Sequence, residues 1–114
     1  MEINKLVMSI KKRPLMYVKE EKIEYIYYLL SGYCSANTQE DVMDKKFIMW
    51  FGKWLNQWIE EHMDSDHISE SCFWYDNIKI ITKDESAECE VFYNLASLFF
   101  EEYNKKSGYF EWLR

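Results

Sequence analysis

The chain has 114 residues, a formal net charge of −6, and a composition that is 48% hydrophobic and 18% aromatic. The aromatic content excludes a disordered chain, and the length corresponds to a single domain over residues 1–114. With three glycines and one proline, the sequence has too few turn residues for an all-β domain, so we expect an all-α fold.

The sequence indicates a cytoplasmic protein. Charges interrupt the first ten residues, so no secretory signal is expected, and no apolar run approaches the ~18 residues that a membrane span needs. Cys34, Cys72 and Cys89 are isolated from one another and form neither a disulfide framework nor a CxxC zinc pattern. We expect three reduced, partly buried thiols.

Two helices are predicted in the first third of the chain. Residues 3–11 have apolar side chains at helical spacing, and Pro14 ends that helix because the residue before a proline avoids the α region. Residues 21–36 repeat the spacing. Gly32 falls near the end of this second helix, where its missing Cβ is expected to permit close packing.

Three further helices are predicted in the remainder. Residues 42–63 carry the strongest pattern, with aromatic side chains along one line, and should form the central helix. Residues 71–81 suit either a helix or a short strand, and the helix is favoured because no second strand is available to pair with it. Residues 83–106 form the last long helix, beginning at a capping box of Thr82 and Glu85. The predicted fold is a single-domain bundle of about five helices with an aromatic-rich core.

The acidic residues are segregated along the chain. Between Trp54 and Ile78 there are six acids and no Lys or Arg, whereas the rest of the chain has as many basic residues as acidic ones. An acidic surface repels nucleic acid and attracts basic partners. Direct binding of nucleic acid is therefore not expected.

Two histidines in this acidic segment suggest a metal site as one alternative. His62, Asp64, Asp66 and His67 could surround an ion if a loop gathers them. The two histidines are five residues apart, which fits neither one helix face nor a known zinc signature. A small metal-dependent enzyme or metal-binding protein built on these residues remains an alternative, as does the solvated end of a helix.

We interpret the segment instead as a protein-binding surface. An acidic surface can attract a basic protein and associate with it rapidly. The residues predicted to contact the partner are Glu60, Glu61, Asp64, Asp66, Glu70, Tyr75 and Asp76. No catalytic residue, metal ligand or cofactor is predicted, since the sequence has no GxSxG, GxGxxG or P-loop motif.

The aromatic residues exceed what a core of this size readily buries. We expect exposure of some of Tyr25, Tyr28, Tyr33, Trp50, Tyr75 and Tyr109. Exposed Tyr and Trp beside charges are typical of protein interfaces. A homo-oligomeric helical scaffold, in which these aromatics form a self-interface, is the other alternative.

The order of the sequence motifs resembles that of small bacterial immunity proteins of contact-dependent growth inhibition and related polymorphic toxin systems. The resemblance covers about residues 5–104. Its motifs are RPLMYV (13–18), YYLLSGY (27–33), FIMWFGKWLNQWIEEHM (47–63), CFWYDNIKII (72–81) and ECEVFYNLASLFFEEY (88–103). Leu15 stands where the family motif has a glycine.

The resemblance implies a protein that is not an enzyme. Members bind the C-terminal toxin domain of their own system and block its active site or substrate path. The toxin is often a nuclease, and we favour an RNase over a DNase. We expect a monomer that forms a 1:1 complex with its cognate toxin and contacts neither membrane nor nucleic acid.

Overall fold

The computed structural model describes residues 2–36, 42–63 and 73–106. These residues form five α-helices, which are α1 (Ile3–Lys12), α2 (Ile23–Ala36), α3 (Val42–His62), α4 (Trp74–Thr82) and α5 (Glu88–Lys105). Two 3₁₀ turns, Pro14–Met16 and Glu85–Ala87, follow α1 and precede α5. The all-α prediction is confirmed. In the described ranges, no helix combines the length and the apolar character that crossing a membrane requires.

The first helix forms as its sequence spacing predicts. Its buried side chains are Ile3, Leu6, Val7 and Ile10, which share one face at helical spacing. The helix ends at Lys12, and the Arg13 backbone N–H donates to the Ser9 carbonyl. Pro14 then begins the 3₁₀ turn, where its fixed φ fits the first position and its missing N–H leaves no hydrogen bond unmade.

The central position of α3 follows from its aromatic stripe. This helix packs against all four others. Phe51 is fully buried and lies edge-on to both Trp74 of α4 and Phe92 of α5, with ring centroids 5.0 Å and 5.6 Å away. Trp74 stacks on Phe92 at 5.0 Å. Such aromatic pairs contribute beyond the apolar area they bury, so this cluster fixes α4 and α5 against α3.

The uncertain segment at residues 71–81 is helical from Trp74, where α4 begins, and Phe73 before it has an extended backbone. The predicted capping box of Thr82 and Glu85 is wrong. Thr82 is the last residue of α4, and its hydroxyl donates to the Ile78 carbonyl at 2.6 Å. Lys83 then adopts the left-handed conformation at φ 60°, which ends the helix.

The last helix consequently begins later than predicted. Asp84 caps the 3₁₀ turn, its side chain accepting from the Ser86 N–H at 3.0 Å, and α5 follows at Glu88. The left-handed Lys83 redirects the chain so that α5 can bury Phe92 and Phe99. This reversal depends on tertiary packing. The sequence between α4 and α5 contains no helix-breaking Gly or Pro that would predict it.

The prediction for Gly32 is also wrong. A Cβ at this position would meet no described atom within 4 Å, so close packing does not require the glycine. At Gly52 of α3, an added Cβ would lie 3.5 Å from the Trp74 Cδ1 atom, which is an ordinary van der Waals contact.

Candidate protein-binding surface

Two of the predicted acids lie at the C-terminal end of α3. Glu60 and Glu61 are exposed. The Glu61 Oε1 atom accepts a hydrogen bond from Gln57 at 3.0 Å. Glu61 also borders a cleft of about 110 Å³ whose other lining residues include Glu102 of α5 and Lys106, which follows that helix. Both carboxylates are available to solvent and to a partner.

His62 packs against its own helix. Its ring stacks on Trp58 with centroids 4.7 Å apart, and its Nδ1 atom lies 2.9 Å from the Trp58 carbonyl oxygen. Because a neutral ring donates from one nitrogen only, a hydrogen bond to that carbonyl makes Nδ1 the protonated nitrogen. This contact orients the imidazole along the helix end.

The other residues of the metal alternative are Asp64, Asp66 and His67, and these lie outside the described residues, as does Glu70. Within residues 2–36, 42–63 and 73–106, no three His, Cys, Asp or Glu side chains are grouped so that they could hold a metal ion. The alternative of a metal site at His62, Asp64, Asp66 and His67 is therefore not tested by the described residues.

The remaining two predicted residues lie where α4 crosses α2. The Tyr75 hydroxyl is 3.5 Å from that of Tyr28, whose side chain is 55% exposed. The hydrogen bond with Tyr28 raises the pKa of Tyr75 to about 12, with smaller contributions from burial and from the charges of Tyr28, Asp76 and Glu24. Tyr75 and Asp76 thus share one electrostatic environment with two residues of α2.

A buried tyrosine holds this pair in place. The Tyr27 ring is 6% exposed and lies edge-on to Trp74 and Tyr75, each at a centroid distance of 5.0 Å, and to Phe73 at 5.7 Å. Tyr28 in turn is edge-on to Tyr27 at 5.3 Å. The exposed Tyr28 ring and the half-buried Tyr75 ring therefore pack on Tyr27, which reduces the side-chain entropy that would be lost on binding a partner.

An ion pair continues this contact along both helices. The Lys79 Nζ atom of α4 lies 3.0 Å from the Glu24 Oε1 atom of α2. Glu24 and Tyr28 are four residues apart, as are Tyr75 and Lys79, so each pair shares a helix face. We call the surface formed by Glu24, Tyr28, Tyr75, Asp76 and Lys79 the tyrosine seam.

An acidic cleft borders the seam at the N-terminal ends of α2 and α5. Its volume is about 610 Å³. Six of the ten residues that line it carry carboxylates, namely Glu20, Glu21, Glu24, Asp84, Glu85 and Glu88; the other four are Lys22, Ile23, Ser86 and Cys89. Glu24 belongs to both features, so the cleft and the tyrosine seam form one continuous surface.

Some of these carboxylates are engaged within the protein. Glu20 pairs with Lys22 at 3.2 Å, and the same ammonium lies 5.7 Å from the Tyr25 ring centroid. Asp84 accepts hydrogen bonds from the backbone N–H and the hydroxyl of Ser86 at 3.0 Å and 2.8 Å. Glu20 and Asp84 therefore stabilise the local structure at the rim of the cleft.

Burial shifts the titration of two groups inside the cleft. Glu88 is only 8% exposed, and this desolvation raises the pKa of its carboxyl group. Burial, followed by the charges of Glu21, Glu88 and Glu24, raises the pKa of the Cys89 thiol to about 12. The thiol is therefore held neutral at ordinary pH, and it is a packing group rather than a nucleophile.

The structure thus separates the predicted residues. Glu61 faces α5 across a cleft, whereas Tyr75 and Asp76 lie on the tyrosine seam with α2. The sequence interpretation missed the acidic cleft because its acids fall outside the acidic segment and alternate with lysines. Only the position of these acids could have indicated the cleft, since Glu20 and Glu21 precede α2 and Asp84 and Glu85 precede α5.

The expected exposure of aromatic residues is confirmed in part. Tyr25 and Tyr28 are 41% and 55% exposed, while Tyr33, Trp50 and Tyr75 are half-buried. Tyr109 lies outside the described residues. Both exposed tyrosines belong to α2 and follow Glu24, a residue that lines the acidic cleft, by one and four positions.

Compared with models of protein families, with curated proteins and with solved structures, this chain matches none.

The tyrosine seam and the acidic cleft both offer hydrogen-bond acceptors. Carboxylates and phenol hydroxyls accept hydrogen bonds from cationic groups, and exposed tyrosine rings offer apolar contact area. Both features are complementary in charge to positively charged groups.

Proposed function

We propose that this protein is a cytoplasmic immunity protein that binds and neutralises a cognate toxin domain. The partner would be a basic nuclease, with an RNase favoured over a DNase, and inhibition would come from covering its active site or substrate path. The protein would act by binding and not by catalysis. The observation that carries the proposal is the continuity of the tyrosine seam with the acidic cleft.

The charge of the cleft supports a basic partner. A nuclease needs a positive surface to hold phosphate, and a surface with six carboxylates and one lysine is complementary to it. Complementary charge accelerates encounter and excludes wrong partners more than it adds affinity. The acids at Glu60 and Glu61 extend the negative potential at another part of the surface, where they can contribute to steering.

The tyrosines of the seam are suited to supply binding affinity, to which complementary charge contributes less. Binding energy at interfaces concentrates in a few aromatic or arginine side chains that become fully desolvated. Tyr28 is exposed and yet anchored by its contacts with Tyr27 and Tyr75. It is therefore suited to become such an anchor when a partner covers the tyrosine seam.

Binding and protection assays with the toxin domain encoded beside this protein test the proposal. Purified wild-type protein should form a 1:1 complex and should abolish the nuclease activity of that domain. Tyr28→Ala should weaken binding by at least about tenfold, because an anchoring aromatic residue contributes about 2 kcal/mol or more. Circular dichroism would verify that the variant is folded.

Leu98→Ala is a matched control. Leu98 is 41% exposed on α5 and lies on neither the tyrosine seam nor the acidic cleft, so its truncation should leave affinity unchanged. Absence of any complex with the neighbouring toxin domain would overturn the proposed function. Equal effects of the two substitutions would overturn the assignment of the tyrosine seam as the contact surface.

A further inference from the structure

A cavity of about 320 Å³ is lined by residues of α2, α3 and α4. Its apolar walls are supplied by Tyr27 of α2, Ile48 and Met49 of α3 and Trp74 of α4. This size, and the combination of aromatic and aliphatic walls with a few polar groups, are typical of small-molecule sites. No residue of the tyrosine seam lines the cavity, so a ligand bound here would not occupy the proposed protein-binding surface.

The indole N–H of Trp74 is a buried donor without a partner. Trp74 is 2% exposed, and its Nε1 atom forms no hydrogen bond with any described residue. Buried tryptophans ordinarily bond this N–H, because leaving water without a partner is unfavourable. The indole edge that carries it faces Gly52 in the cavity wall, since Cδ1, the carbon bonded to Nε1, would lie 3.5 Å from a Gly52 Cβ. The missing side chain at Gly52 therefore leaves space beside this edge of the ring.

The other polar groups of the cavity also favour a ligand that accepts hydrogen bonds. The Asn56 Oδ1 atom accepts from the Asn77 Nδ2 atom at 2.8 Å, so the amide N–H groups of Asn56 remain as donors. Lys53 is exposed and supplies a positive charge. Among the described residues that line the cavity none is acidic, although the chain has a net charge of −6. Apolar walls are thus combined with donors and one cation.

We propose that this cavity binds a small apolar carboxylate, such as an aryl-substituted acetic acid. The carboxylate accepts from the Trp74 N–H and Lys53 supplies the opposite charge, while the apolar body packs against Tyr27 and Ile48. The Trp74 N–H is closed to water in this structure. Met49 lines the cavity, is 47% exposed and has an unbranched side chain, so it is the wall that moves to admit the ligand. The inference is independent of the proposed function.

A carboxylate with an apolar body fits this cavity better than other small ligands. An amine would bring donors to donors and a positive charge to Lys53. A phosphate ion has no apolar part, so it would leave the aromatic and aliphatic walls uncovered. A neutral amide can accept from Trp74, but its hydrogen bonds lack the charge that strengthens those of a carboxylate.

Phenylacetate is the probe, and NMR of the intact, ¹⁵N-labelled protein follows the indole N–H signals of the five tryptophans. Trp74→Phe assigns the Trp74 signal by its loss. Phenylacetate should move that signal downfield, as a new hydrogen bond does, and by more than any other indole signal. Benzylamine, which has the same ring and a positive charge, should leave it unmoved. Phenylacetamide, which is neutral, should bind about threefold to tenfold more weakly than phenylacetate.

Lys53→Met removes the charge and keeps most of the side-chain length. It should weaken phenylacetate binding by about threefold to tenfold and leave phenylacetamide binding within about twofold. Lys11→Met is the matched charge control, because Lys11 is exposed on α1, which supplies no residue to the cavity. It should leave phenylacetate affinity within about twofold. Both lysines are exposed, so both variants should fold.

Gly52→Met places an unbranched side chain in the cavity wall and should abolish phenylacetate binding. Circular dichroism verifies that this variant is folded, and the two lysine variants decide the matter if it is not. Four outcomes would each overturn the carboxylate site. They are an unmoved Trp74 signal at high phenylacetate concentration, equal binding of benzylamine, equal losses in the Lys53 and Lys11 variants, and unchanged affinity in folded Gly52→Met protein.

Discussion

The carboxylate of Asp44 in α3 accepts a hydrogen bond from the backbone N–H of Ile3, the first residue of α1, at 2.7 Å. Asp44 is 1% exposed. The bond joins residues 41 positions apart and satisfies one of the N–H groups that a helix start leaves unpaired. The negative charge also stabilises the positive end of the α1 dipole. Asp44 therefore fixes where the first helix begins relative to the central one.

Replacing Asp44 with Ala should lower the free energy of unfolding by about 1–3 kcal/mol, because a buried N–H then loses a charged acceptor. Urea denaturation followed by circular dichroism measures the change. Asp44→Asn keeps an acceptor oxygen and should retain most of the stability. The Asp44 Oδ2 atom has no hydrogen-bond partner in the described structure, so the neutral amide avoids the desolvation of a charge. Wild-type stability in Asp44→Ala would contradict this role.

A second long-range hydrogen bond joins α3 to α5. The indole N–H of Trp54 donates to the Glu102 Oε2 atom at 2.6 Å, and Trp54 is 4% exposed. Glu102→Ala should cost about 1–2 kcal/mol, since it leaves a nearly buried indole N–H unpaired. Glu102→Gln keeps an acceptor and should cost less. Equal unfolding midpoints for the two variants would show that the bond contributes no net stability.

Gly32 offers a stabilising substitution. It lies inside α2, and an added Cβ would meet nothing described within 4 Å. Gly32→Ala should raise the free energy of unfolding by about 0.5–1 kcal/mol, because alanine loses less backbone entropy in a helix. Gly52→Ala is the comparison, since its Cβ would make an ordinary contact with Trp74 at 3.5 Å. A destabilised Gly32→Ala protein would show that this position needs glycine after all.

The hydroxyl pair of the tyrosine seam predicts an alkaline titration. The pKa of Tyr75 is raised from 10.0 to about 12, so folding favours its protonated form. Its contribution to stability should be complete below pH 10 and should be lost as pH rises towards 12. Tyrosinate absorbance during a pH titration measures this. Tyr28→Phe removes the hydroxyl partner and should lower the pKa of Tyr75, whereas an unchanged titration would contradict the assigned cause.

Two cysteines should resist alkylation in the folded protein. Burial raises the pKa of both Cys34 and Cys89, the latter to about 12, and the thiolate is the reactive form. At mildly alkaline pH, peptide mapping after iodoacetamide treatment should show slow modification of both in native protein and rapid modification in urea. Equal rates in the two conditions would show that these thiols are accessible in the folded state.

The sequence predicted the helices where a helical pattern was sustained. The stripes of α1, α2 and α3 appear with boundaries within two residues of those expected, because apolar spacing and Pro14 are local signals. The start of α5 was mispredicted because Thr82 and Glu85 have the spacing of a capping box. The left-handed conformation of Lys83 could not be predicted from the sequence, because lysine does not favour that conformation. The prediction of close packing at Gly32 was wrong because the neighbours of a residue across a helix interface cannot be found from the sequence of one helix.

By itself, the sequence of this protein determined an all-α fold, an aromatic core and a surplus of acidic charge. These properties depend on composition and on spacing along one helix. Only the tertiary structure decided which acids meet. It brings Glu20, Glu21 and Glu24 of one segment against Asp84, Glu85 and Glu88 of another, and it pairs Tyr28 with Tyr75. Charges more than sixty positions apart along the chain share one cleft because packing around α3 sets the start of α2 beside the start of α5.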